Sequence, residues 1–252
     1  MHQIEQEIVG QCFELSPPQT LGGQWTEKIL HSFAGGTDGA LPNGGLVVDS
    51  KGLVFGTTLN GGNESEYCSA GLLATGCGIV FELAPPTSKS IAWTETPLYV
   101  FKDGSDGASP NGNLLLDTKG GLYGTAGGGT EQSGVVFRLS DVNGKWGETV
   151  LYTFTGGDDG SDSGAGVAFS GSGYVYGTAL GGKTNLGLVF RLKPQKSTIS
   201  WPFPFSTTSP GLQMQIILQR RRCSSAHRTV CMVRPSGAAP ANRAKGAAAL
   251  YS

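Results

Sequence analysis

The chain has 252 residues, 41 of them glycine, and only 15% of it is charged, a composition that favours many tight turns over long helices. The formal net charge of −1 hides an asymmetry, because Met1–Trp201 carries 19 acidic and 11 basic residues while Pro202–Ser252 carries seven basic residues and no acid. No run of about 18 apolar residues is present, so no membrane-spanning helix is predicted, and the opening "MHQIEQEIVGQC" has neither the positive n-region nor the apolar h-region of a secretory signal.

In chain order, Cys12-Phe13 opens a short strand pattern, and then three stretches read alike. Trp25 opens "WTEKILHSFAGGTDGALPNGGLVVDSKGLVFGTT", Trp93 opens "WTETPLYVFKDGSDGASPNGNLLLDTKGGLYGTA" and Trp146 opens "WGETVLYTFTGGDDGSDSGAGVAFSGSGYVYGTA". Phe33 to Phe55, Phe101 to Tyr123 and Phe154 to Tyr176 are each 22 residues apart, and Val-Phe then returns at Val80-Phe81, Val136-Phe137 and Val189-Phe190. Phe55 to Phe81 takes 26 residues where the other units take 14, so the first unit carries a 12-residue insertion. Cys68 and Cys77 lie inside it, at a separation a small disulfide loop can close, although two thiols in a loop fit the spacing equally well.

Each unit holds four β-patterned runs, represented by "VVFRL", "TVLYTF", "NLLLD" and "LYGTA", bounded by Gly, Asp, Asn or Pro. Four strands in roughly 55 residues predict an all-β chain built as a β-propeller-like array of four-stranded blades, which bury their faces only by stacking on neighbours. The glycines of "LYGTAGGG" fit no phosphate loop, since a strand pattern and not a helix follows them.

The motifs W-T-E-x-x-L-Y-x-F, G-G-x-D-G-A-x-P, D-x-x-G-x-L-Y-G-T and G-x-V-F-x-L, present from about Gly10 to Trp201, resemble the GloVer tandem repeat of choice-of-anchor repeat proteins. The resemblance implies a secreted or cell-surface, propeller-like protein and brings no catalytic residues with it. The sequence departs from the pattern at Cys12, where Val is usual, at Ser163, where the other units have Pro42 and Pro110, and after Trp201.

Two regions are therefore expected, a repeat domain over 1–201 that forms an incomplete propeller and a basic, irregular or disordered tail over 202–252. The tail lacks Asp, "YGT" and "GG" in "WPFPFSTTSPGLQMQIILQRRRCSSAHRTVCMVRPSGAAP". Read one base out of frame, the codons of "RTVCMVRP" permit "DGLYGTA", and Met232-Val233 forces the glycine. A frameshifted repeat explains these residues better than an evolved nucleic-acid-binding arm.

Asp38, Asp106 and Asp159, one per unit, are weak Ca²⁺ candidates; a turn-capping role is favoured because each loop offers few carboxylates. Trp25, Trp93, Trp146 and Trp201 recur at a fixed position, as packing residues do and sugar platforms need not. His2, His31 and His227 stand at unlike positions and assemble no metal site or catalytic set, and Glu27, Glu95 and Glu148 repeat beside the tryptophans. The expected function is a non-catalytic binding or structural scaffold without cofactor, a fragment of a longer propeller, with a protein or glycan ligand, no nucleic acid, and self-association through open edges. The alternative is a lyase or hydrolase with its site in the propeller channel, which rests on fold analogy.

Overall fold

A computed structural model describes residues 10–62, 68, 76–88, 90–170 and 173–193, and the backbone of 230–235. Among the described residues it is all-β apart from 3-10 turns, at Gly36–Asp38 and at Cys68. The strands are β1 (Gly10–Ser16), β2 (Thr26–Ser32), β3 (Ala40–Val48), β4 (Val54–Asn60), β5 (Ile79–Ala84), β6 (Thr94–Val100), β7 (Ala108–Pro110), β8 (Leu115–Leu116), β9 (Leu122–Gly127), β10 (Val135–Val142), β11 (Lys145–Thr153), β12 (Val167–Phe169), β13 (Val175–Ala179), β14 (Leu188–Leu192) and β15 (Val230–Pro235). They form antiparallel sheets in the orders β15-β1-β2, β3-β4-β5-β6, β7-β9-β10-β11 with β8 also on β9, and β12-β13-β14.

The sheets are offset from the sequence units. Each strand that begins beside a Trp (β2, β6 and β11) opens a unit in sequence but closes the sheet of the strands before it, so β6 pairs with β5 and β11 with β10. Turn chemistry explains the offset. Asn143 (φ 57°) and Gly144 (φ 80°) give the two-residue turn that matches the twist of a hairpin, and this makes β10 and β11 neighbours. The link after the Trp strand instead crosses to the next sheet.

Packing between sheets repeats with the sequence. Phe33 after β2 meets Phe81 of β5 at 5.0 Å between ring centroids, Phe101 after β6 meets Phe137 of β10 at 5.2 Å, and Phe154 after β11 meets Phe190 of β14 at 5.3 Å. All six rings are buried, each contributing about 1.5–3 kcal/mol by leaving water. The three core clusters accordingly straddle sheets: Cys12 and Leu30 pack with Val54 and Leu83, Phe55 and Val80 with Leu122 and Leu139, and Val136 and Leu151 with Val175 and Leu192.

The glycine of "FGT" or "YGT" is explained by the same rings. Gly56, Gly124 and Gly177 stand directly opposite Phe81, Phe137 and Phe190 in the ladders. A Cβ there would lie 2.5, 2.6 and 2.3 Å from the ring Cζ, closer than atoms can approach. The phenylalanine lies across the strand where a side chain would otherwise stand.

The tail differs from expectation at one place. Val230–Pro235 form β15, paired antiparallel with β1, because β1 has an edge to fill on the side away from β2 and "VCMV" has strong strand propensity. The rest of the expected irregular tail, 202–229 and 236–252, lies outside the described residues.

Candidate functional site at the junctions between sheets

The polar groups that the sequence repeats once per unit gather where one sheet meets the next. Asp38, Asp106 and Asp159 each follow a strand that begins beside a Trp and turn inward. Asp38 Oδ2 accepts the Ala34 amide (2.7 Å), Asp106 Oδ2 that of Lys102 (3.1 Å) and Asp159 Oδ2 that of Thr155 (2.9 Å). Each also binds a ring from its own strand: His31 Nε2 lies 2.7 Å from Asp38 Oδ1, and the Tyr99 and Tyr152 hydroxyls donate to Asp106 and Asp159 at 3.0 and 2.9 Å. The aspartates thus fasten turns, and each stands in a different junction. Among the described residues no group of three or more His, Cys, Asp or Glu side chains is placed to hold a metal.

A glutamate from the following sheet completes two of the junctions, a partnership the sequence reading missed. Glu148 Oε2 of β11 lies 3.4 Å from the Tyr99 hydroxyl that binds Asp106, and its other oxygen is buried without a hydrogen-bond partner. Burial, reinforced by the charge of Asp106 and opposed by the Tyr99 hydrogen bond, pushes Glu148 up to about 8. Burial and the Asp38 charge likewise push Glu95 of β6 up to about 7, opposed by His31. Tyr99 is raised by burial and then by Glu148 and Asp106, and Tyr152 by burial and Asp159. Burial alone would raise Asp159, yet the Thr155 hydroxyl and amide and the Tyr152 hydroxyl hold it below the ordinary range. Glu27, Glu95 and Glu148 each sit two residues past a Trp, so the signal was present in sequence; the pairing across a junction was not.

The segments that open β3, β7 and the fourth sheet carry a repeated backbone feature. Leu41, Ser109 and Asp162 occupy equivalent positions with φ of 55°, 48° and 44°, a conformation that costs a non-glycine residue of order 1–3 kcal/mol. The twist turns their amides sideways. Ser109 N donates to Cys77 O of the preceding sheet at 2.7 Å, and Asp162 N to Ser133 O at 2.8 Å. Beside them the chains nearly touch: a Cβ on Gly112 would stand 2.4 Å from both Gly166 N and Thr125 Oγ1. One junction earlier, Gly45 N donates to Asn113 Oδ1. Asn111 Oδ1, Thr125 Oγ1 and Ser163 Oγ are buried without hydrogen-bond partners, and Asn43 and Asn113 face solvent. These segments offer amides and hydroxyls, suited to hydrogen bonding.

The tryptophans follow the junctions. Trp146 packs on Phe55 of the preceding sheet with ring centroids 6.5 Å apart, Trp93 packs against the first inter-sheet cluster, and Trp25 is 53% exposed. Cys68 and Cys77 are joined as a disulfide with Cα atoms 4.9 Å apart, tying the inserted loop to the base of β5. Cys12 is a buried thiol outside it.

The repeated sequence has a counterpart among known families: the Gloeobacter/Verrucomicrobia repeat matches residues 5–223. The chain belongs to the Gloeobacter/Verrucomicrobia repeat family. The match takes in every strand from β1 to β14 and leaves out β15, so the junction residues above all lie within it. No curated protein matches it.

Proposed function

We propose that this member of the Gloeobacter/Verrucomicrobia repeat family is a non-catalytic scaffold of a secreted or cell-surface type, its sheets arranged as propeller-like blades, with a ligand seated on the Asn- and Gly-rich segments that open β3, β7 and the fourth sheet. The observation that carries the reading is repetition: a His or Tyr with its Asp recurs at successive junctions and is engaged each time in fastening its own turn, and Glu148 reaches Tyr99 across one of them. His31 and Asp38 look like the beginnings of a catalytic dyad, yet Tyr99 with Asp106 and Tyr152 with Asp159 make the same bond without a base. The Cys68–Cys77 disulfide favours an oxidising compartment.

These segments favour a glycan or a peptide, both rich in groups that pair with amides. Incubation with a panel of polysaccharides tests the reading. Retention on one of them, weakened at least about tenfold by Asn43→Ala with Asn113→Ala and without new chain ends in the product, is the expected result. Turnover that disappears in His31→Asn would overturn it in favour of an enzyme.

A further inference from the structure

The edge of β1 is paired in a register already seen three times in this chain. Phe13 stands opposite Met232 as Phe81 stands opposite Gly56, Phe137 opposite Gly124 and Phe190 opposite Gly177. Two residues on, Leu15 faces Val230 as Leu83 faces Val54, Leu139 faces Leu122 and Leu192 faces Val175. The other side of β1 repeats as well: the pairing with β2 shifts register between Cys12 and Phe13, as β5 does against β6 between Val80 and Phe81 and β10 against β11 between Val136 and Phe137. β15 also lies against β3, an edge strand of the next sheet, as β4 lies against β7 and β9 against β12.

We propose that the β1 edge is an acceptor for one strand of the chain's own glycine-bearing type, that Val230–Pro235 of the same molecule occupies it, and that Met232 stands where the register calls for glycine. That a segment of the same chain fills this edge follows from the position of β15, and the imperfect match from the residue opposite Phe13. In the three other sheets any Cβ at that position would overlap the ring. By this register any residue but glycine at 232 is expected to weaken the pairing, and an apolar residue at 230 to suit it. The inference holds whether or not the protein binds a glycan.

The full chain tests it by thermal unfolding over a range of concentrations. Glycine inside a strand ordinarily destabilises, so Val230→Gly is expected to lower the midpoint. Met232→Gly is expected to raise it by about 2 °C or more, independently of concentration. Loss of stability in Met232→Gly, or no change in Val230→Gly, would overturn the proposal.

A cross-link gives an independent readout. Cys12 faces Val233, and Cα atoms of antiparallel partners, about 4.5–5.5 Å apart, fall in the range a disulfide spans. With Cys223 and Cys231 replaced by Ser, Val233→Cys should oxidise to an intramolecular bond with Cys12, seen by peptide mapping. A bond between two copies would assign the acceptor to a second molecule, and no bond would empty the edge; either result defeats the assignment.

Discussion

The first sheet and the third are built from the same pattern and are not equally finished. In the third, β10 is flanked by β9 and β11, Phe137 is closed over by Phe101, and Trp146 lies against the sheet before it. In the first, Trp25 just before β2 and Ile29 within it remain about half exposed, and the strand on the other side of β1 comes from 230–235. The local signals are nearly identical: Trp, Glu two residues later, an aromatic ring, then Asp. What differs is the neighbour. A strand of this repeat is stabilised by the sheet against its face, so identical residues are worth different amounts at different places in the stack.

Substitutions can sharpen or break that contrast, and the largest effect should come from the core rings. Phe137→Ala is expected to cost about 3–5 kcal/mol in chemical denaturation, and Phe13→Ala distinctly less; equal losses would mean that the first sheet is as tightly held as the third. Next comes the glycine opposite the ring. Gly124→Ala should cost about 1–3 kcal/mol by overpacking against Phe137, and a neutral result would show that the ring can move aside.

The junction carboxyls should give a smaller effect that depends on pH. Glu148 titrates near 8 in the folded chain against an ordinary 4.5, so between those values the folded state holds a proton that the unfolded state has lost. Stability is therefore greatest in mild acid and declines as pH rises from about 4.5 to 8. Glu148→Gln keeps the neutral form and should flatten the decline, raising the midpoint at pH 9 while leaving pH 5 almost unchanged; Glu95, near 7, supplies the slope that remains. A Glu148→Gln profile parallel to that of the parent would remove the buried acid from the account. The smallest change is expected from Trp25→Ala, within about 0.5 kcal/mol as for other exposed positions. Trp146→Ala should exceed it clearly if Trp146 seals a junction.

Much of this architecture could be read from the residues alone. The 22-residue spacing, the four strand runs and the single insertion are all legible because strands and turns obey local rules of alternation and backbone geometry. The structural use of the repeated aspartates was legible too, since a side chain that bonds its own turn needs no distant partner. Which strands share a sheet was not, and the sequence unit beginning at Trp proved to straddle two of them.

Sequence by itself determined the all-β class, the repeat and the places where the chain turns, since each depends on residues within a few positions of one another. Tertiary structure alone decided that Glu148 meets Tyr99 across 49 positions, that Gly124 yields its space to Phe137, and that Val230–Pro235 return to β1. The physical reason is common to all three. Burial, close approach and edge pairing are properties of surfaces brought together by stacking, and residues far apart in the chain acquire them only when the sheets meet.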